Sequence, residues 1–399
     1  MIRRDRYLQK VKPFINCDLI KILTGVRRCG KTVLLEQVKE MLINEGADDA
    51  QFIQINFESM KYQALRNSDA LYQYVDRKAQ EIPGKVYIML DEIQEVEGWQ
   101  TAVNSFRVDL DCDIYLTGSN SKLLSGKLAT CLSGRYIQIK VYPFTYSEVR
   151  AIQLEQGTYR SDEHTFADYL KYGGFPQCCL LSDVHSKETY LHDLYEAIVL
   201  KDIIQRHHVK DIAMLKNVLE YLMDHVGNPF SARKISGMMT SIGKKIAAST
   251  VLNYVEYFKE AYVLCNISRY DLKGQGLLAS TEKYYAIGAG IRNVITKSEM
   301  VDSAKLYENV IYLEMLSRGY EVQVGKLDDR EIDFICYRGQ EKLYIQAAYL
   351  LTPSDRDREF GNLESIRDNY PKYVISSDIP DMSRNGIIHK NMIQFLKGE

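Results

Sequence analysis

The sequence contains no apolar run near the roughly 20 residues a bilayer span needs. Its amino terminus, MIRRDRYLQK, has a basic start without the apolar stretch of a secretory leader. Both absences predict a cytoplasmic protein with no membrane partner. There is no surplus of charge either: 51 Lys and Arg oppose 53 Asp and Glu, a formal net charge of -2 at pH 7. Global attraction to nucleic acid or to an anionic surface is therefore excluded, and only local patches can provide it. The eight cysteines (Cys17, Cys29, Cys112, Cys131, Cys178, Cys179, Cys265 and Cys336) form no C-x-x-C pair and have no histidine at zinc spacing. They read as reduced thiols, mostly small buried hydrophobes.

What is present is a globular composition, 46% hydrophobic and 26% charged over 399 residues. That length is too great for one ordinary core and predicts more than one domain. The organising stretch is ILTGVRRCGKTVLL, Ile22 to Leu35, in which an apolar strand meets a glycine-bearing loop and then a periodic helix (Val33, Leu34, Val38, Met41, Leu42). Its loop reads G-x-x-x-x-G-K-T: Gly25, Val26, Arg27, Arg28, Cys29, Gly30, Lys31, Thr32. Glycines lacking Cβ let backbone N–H groups turn inward and leave room for a polyphosphate. Lys31 is placed to reach the β- and γ-phosphates of ATP, and Thr32 to ligate Mg2+, while the helix aims its positive end at the anion. Cys29, beside Lys31 and a helix N-terminus, is either a thiol of lowered pKa open to redox control or a filler position.

About 60 residues later, the apolar run Val86 to Leu90 ends in Asp91 and Glu92. In that order Asp91 can hold Mg2+ and its water shell, and Glu92 can polarise the water that attacks the γ-phosphate. A further strand, Asp113 to Leu116, runs into Thr117-Gly118-Ser119-Asn120, where Asn120 or Ser119 is a candidate γ-phosphate sensor; the other reading of Asn120 is an N-cap for a helix around Lys122 to Leu124. Arg135 precedes the strand Tyr136 to Val141, as an arginine finger within the molecule or on a neighbour, or as a structural ion pair. Arg3, Arg4, Arg6 and Tyr7 are left open between a place near the base and the surface.

Four regions follow from the pattern: an α/β nucleotide-binding core over 1–145, a helical lid over 146–210, a winged helix-turn-helix over 211–290, and an α/β domain over 300–399. The third carries Arg233, Lys234, Lys244, Lys245 and Lys259 against Glu256 between Ser231 and Lys259. That local excess suits DNA phosphates, although a winged helix can equally couple domains. The lid holds Arg206 as a second phosphate sensor, with His207 and His208 beside it.

The motifs GVRRCGKTVLL, IMLDEIQEVEGWQ, YLTGSNSKLLSGKLATCLSGRY and VYPFTYSEV, with YGGFPQ, KDIIQRH and the EIDF stretch, resemble those of prokaryotic AAA-type ATPases that carry a restriction-endonuclease-like tail of unassigned function. The resemblance covers nearly the whole chain. It implies that Gly25 to Thr32 bind phosphate and metal, that Asp91 and Glu92 act as metal-water ligand and catalytic acid, that Asn120 is the sensor and that Arg135 is the finger. Pro176 in Gly173-Gly174-Phe175-Pro176 resembles the G-x-P element with which related signal-transduction ATPases close a lid on adenine. In the tail, Asp333 matches the first acid of a nuclease site, but Gln346 and Ala348 stand where Glu and Lys belong, so cleavage chemistry is expected to be absent. The reading leaves three functions: an ATPase that engages a partner through conformational change, DNA or protein or another copy of itself; a nucleotide-gated switch with negligible turnover; and a DNA-directed regulator or defence factor.

Overall fold

Strands β1 (Ile20–Thr24), β2 (Phe52–Asn56), β3 (Val86–Asp91), β4 (Cys112–Gly118) and β5 (Tyr136–Lys140) pair in parallel in the order β2-β3-β4-β1-β5. The computed structural model describes residues 2–121, 132–274, 276–296 and 303–398. The helix expected around Lys122 to Leu124, and Cys131, lie outside the described residues. β1 and β3 are buried along their whole length, which is why β3 reads as an unbroken apolar run; β1 buries Lys21 as well, paired with Asp113. The intervening helices pack on the faces, with Leu34, Leu35, Val38, Met41 and Leu42 of Lys31–Asn44 turned inward at helical spacing.

β4 inserts between β1 and β3. Because the strands are parallel, the carboxyl ends of β1, β3 and β4 emerge at one edge, where ligands of open α/β sheets bind. The loop after Thr24, the pair Asp91-Glu92 and the segment Thr117 to Asn120 therefore meet there. This first unit comprises Met1–Tyr142 with Glu260–Tyr262.

The second unit comprises Pro143–Lys259 and Val263–Glu399. It begins with helices Tyr146–Glu155, Asp162–Tyr172, Pro176–Leu180 and Val184–Ala197, the last running into a π-helical stretch over Ile198–Gln205. Three helices follow, Ile212–Asp224, Ala232–Ser241 and Ala248–Glu260, then the antiparallel hairpin β6 (Leu264–Asp271) and β7 (Gly276–Ala286). Strands β8 (Glu321–Leu327), β9 (Arg330–Arg338), β10 (Glu341–Ala347), β11 (Lys372–Ser376) and β12 (Ile388–Asn391) complete a mixed sheet ordered β12-β11-β10-β9-β8-β6-β7. β6 pairs in parallel with β8, so one sheet runs across the boundary expected between 290 and 300.

Candidate functional site at the carboxyl edge of the parallel sheet

The glycines of the loop after β1 do different work. A Cβ on Gly25 would sit 2.2 Å from the carbonyl oxygen of Val141, so this position is glycine because two backbones meet. Gly30 has φ 97°, the left-handed turn that starts helix Lys31–Asn44. No side chain caps that helix, so its first-turn N–H groups remain an anion site. The Lys31 ammonium folds over the loop and donates to the carbonyls of Gly25 and Val26, both at 3.1 Å.

The carboxylates lie on the other side of this ammonium. Thr32 Oγ1 donates to Asp91 Oδ2 at 2.8 Å, and Asn56 Nδ2 reaches the same oxygen at 2.9 Å from the end of β2. Thr117 donates to Asp91 Oδ1. Burial pushes the Asp91 carboxyl up, against these hydrogen bonds from Thr117 and Thr32. A hydroxyl and a carboxylate side by side are an oxygen-only donor set, which fits a hard divalent cation. Glu92 takes the left-handed conformation with φ 55°, fixed by its N–H donating to Thr117 Oγ1 at 2.9 Å. Its Oε1 lies 3.8 Å from Lys31 Nζ. Burial alone would raise the Glu92 carboxyl; the Lys31 charge, then hydrogen bonds from Gln94 and Ser119, outweigh it and hold the group below its usual range. Ser119 Oγ donates to Glu92 Oε2 at 3.0 Å, and Asn120 is buried next in the chain.

Three expectations change. Arg135 precedes β5, whose residue Tyr136 is in register with Ile20 at the start of β1. It therefore stands at the amino edge of the sheet, about 16 Å of strand from the loop, and donates to Asn104 Oδ1 at 3.0 Å. A finger within its own molecule is excluded by that direction. The Cys29 thiol is fully buried, with Sγ 3.4 Å from Val141 O, and burial pushes its pKa up rather than down. Redox control through a ready thiolate is thereby removed. Arg4 is not on the surface: it is buried, and its guanidinium donates to the carbonyls of Cys29 at 3.3 Å and Tyr142 at 3.0 Å, bracing the loop. Nothing local in MIRRDRY distinguishes that arginine from its neighbours.

In the second unit Pro176 opens the short helix Pro176–Leu180 after two glycines that allow close approach. A Cβ on Gly174 would fall 1.9 Å from the carbonyl oxygen of Phe144, and one on Gly173 2.9 Å from the nitrogen of Gly290. Arg206 donates to the carbonyl of Asp202, one turn back, at 3.1 Å, and the His207 ring stacks on Tyr257 with centroids 3.7 Å apart.

The same unit holds a cluster on β7, β9, β10 and two helices. Gln346 accepts from the N–H of Asp333 at 2.7 Å and donates to Glu359 at 2.5 Å, while Asp333 Oδ2 accepts from the N–H of Ala347 at 2.8 Å. Where the sequence pattern lacks a lysine at 348, Lys283 supplies a buried cation, 2.5 Å from Glu331 and 4.0 Å from Glu308. Among the described residues no group of three or more His, Cys, Asp or Glu is arranged to hold a metal ion.

Against known proteins, residues 18–150 match the family described as an AAA domain, and residues 163–302 match a domain of unknown function. An uncharacterized protein of Haemophilus influenzae is 39% identical over 376 residues, 94% of this chain and 93% of that one. An uncharacterized protein of Methanocaldococcus jannaschii is 30% identical over 361 residues, 88% of this chain and 79% of that one. This chain belongs to their family of AAA-domain proteins. Among solved structures, a Walker-type ATPase of Pyrococcus abyssi superposes with a TM-score of 0.52 at 14% identity, over 74% of this chain and 96% of that one, a likeness of fold. The AAA-domain match contains the loop Gly25 to Thr32, Asp91, Glu92 and the segment Thr117 to Asn120. Pro176 and Arg206 fall in the second match. Among the described residues no helix is long and apolar enough to cross a membrane.

Proposed function

We propose that this protein is a Mg2+-dependent ATPase whose nucleotide state governs engagement of a partner. The observation that carries the reading is the convergence of Lys31, Thr32, Asp91 and Glu92, with Thr32 Oγ1 2.8 Å from Asp91 and Lys31 Nζ 3.8 Å from Glu92. In this reading Gly25, Val26, Arg27, Arg28, Cys29 and Gly30 present the backbone that cradles the triphosphate, and Lys31 neutralises its β- and γ-oxygens. Thr32 and Asp91 hold Mg2+, which when bound supplies charge neutralisation on the phosphates. Glu92, kept ionised, orients the attacking water and takes its proton. Asn120 senses the γ-phosphate, Arg135 serves a neighbouring copy's site, and Pro176 belongs to a lid over the adenine. The test is turnover of Mg·ATP by the purified chain beside Glu92→Gln: affinity for ATP stays within about threefold while turnover falls at least about a hundredfold. Lack of any affinity for ATP in the parent chain ends this reading; affinity without turnover turns it into the nucleotide-gated switch.

The partner is DNA in a second reading, in which the three helices and hairpin act as a winged helix. One observation favours it: Arg233, Lys234, Lys244 and Lys245 are exposed, and none forms an ion pair among the described residues. Neutralising Lys244 and Lys245 then weakens duplex binding and lessens its salt dependence. The carboxyl-terminal strands serve binding rather than cleavage, because Gln346 offers an amide and Ala348 no charge; Mg2+-dependent cleavage abolished by Asp333→Ala contradicts this.

A further inference from the structure

The function just proposed makes no use of Gln94, the last residue of the sequence motif Asp91-Glu92-Ile93-Gln94. Its side chain turns back onto the carboxylate two residues earlier: Nε2 donates to Glu92 Oε2 and lies 3.4 Å from Ser119 Oγ. Ser119 Oγ in turn donates to the same Oε2 at 3.0 Å. An ionised carboxylate only accepts hydrogen bonds, so it dictates which end of the amide faces it. The other end bears the consequence, since Gln94 Oε1 is buried without a hydrogen-bond partner among the described residues. A buried carbonyl left unpaired is costly, so the amide is oriented to serve Glu92 rather than its own best hydrogen bonding.

The two oxygens of Glu92 are thereby made unequal. Oε2 carries two donors; Oε1 faces the ammonium of Lys31 at 3.8 Å. Lys31 is the residue that reaches the terminal phosphates, so Oε1 is the atom turned toward the reacting centre. We infer that Gln94, with Ser119, is a positioning residue for hydrolysis: together they occupy Glu92 Oε2, fix the carboxylate's rotation and reserve Oε1 for the proton of the attacking water. In the balanced step the water oxygen bonds to the γ-phosphorus, the bond from that phosphorus to the β,γ-bridging oxygen breaks, and the water proton goes to Oε1. The inference rests on the ATPase reading.

Gln94→Ala in the full chain lowers kcat by about tenfold or more, with KM for Mg·ATP within about twofold. The acidic limb of its kcat–pH profile moves to higher pH, because a hydrogen bond that favours the charged form is gone. Ser119→Ala acts in the same direction. Parent-like kcat and pH profile in the variant overturn the inference, whereas a parent chain without ATP turnover ends the ATPase reading and this inference with it. A loss of turnover accompanied by an equal loss of ATP affinity also overturns it, since that marks a merely structural residue; the thermal midpoint and far-ultraviolet circular dichroism of each variant are compared with the parent to read this.

Discussion

Lys31 in the first unit and Lys283 in the second are both buried beside carboxylates, and the two are held in opposite ways. Lys31 rests on two neutral carbonyls at 3.1 Å, with its nearest carboxylate oxygen given above at 3.8 Å. Lys283 is 2.5 Å from Glu331, with Glu308 at 4.0 Å. The acids answer in kind. Glu92 is held below its usual range once Lys31 and two hydrogen-bond donors have outweighed burial. Burial pushes Glu308 up despite Lys283, and Asp333 is pushed well up by burial and then by Glu308. A cation on dipoles stays available to an arriving anion, whereas a cation inside a crowd of acids is already committed to holding them together.

The most severe way to probe this contrast is to delete each ammonium. Lys31→Ala weakens nucleotide affinity by about a hundredfold, near 2.7 kcal/mol, with little change in folding; equilibrium binding of a fluorescent nucleotide reads it. Lys283→Met has the complementary effect. It leaves nucleotide affinity alone and destabilises the second unit by about 3–5 kcal/mol, the cost of stranding buried acids, read as lost hydrogen-exchange protection in β7 and β9. A reversal of these two phenotypes would dissolve the distinction.

Acidity offers a finer probe. Asp333 is faced by Glu308, Lys283 and Glu359, with Arg358 also acting on it, and its folded pKa lies above its unfolded one. The folded state thus binds more protons in the window between the two values, so this group's stabilising contribution is full below the unfolded pKa, near 3.9, and is lost as pH rises through the folded value. Asp333→Asn flattens the fall in urea midpoint as pH rises above the unfolded carboxylate value, about 3.9. Glu92 has the opposite sign: its contribution is present above the unfolded carboxylate value and disappears as pH falls. The smallest effect belongs to Arg135→Ala, which leaves turnover unchanged in dilute protein; any loss at higher concentration, measured as specific activity against chain concentration, identifies action on a neighbouring copy.

The loop and the acid pair were legible because each is a short contiguous run whose chemistry depends on residues adjacent in the chain. Lys31 and Asp91 were expected together, and parallel pairing of β1, β4 and β3 puts them at one edge. Direction was what the sequence withheld about Arg135: only after β5 is known to lie parallel to β1 does the residue before it fall at the far edge. Arg4 and Gln94 escaped for other reasons: Arg4 reaches carbonyls 25 and 138 residues away in the chain, and the Gln94 side chain folds back onto the carboxylate two residues before it. Lys21 is similar, sealed inside a strand read as apolar because it pairs with Asp113, which also accepts from Tyr115 at 2.8 Å. β11 and β12, five and four residues long, gave too little alternation to read.

The pairing of β6 with β8 has a practical side. Truncating the chain between Ile287 and Lys305 would not release two tidy fragments, because it would strip a neighbour from each of those strands and expose a row of N–H and C=O groups on both pieces. Such fragments would be prone to aggregate, so expression of the carboxyl-terminal half calls for a start upstream of Leu264, or better upstream of Ile212, so that the hairpin travels with the sheet it completes.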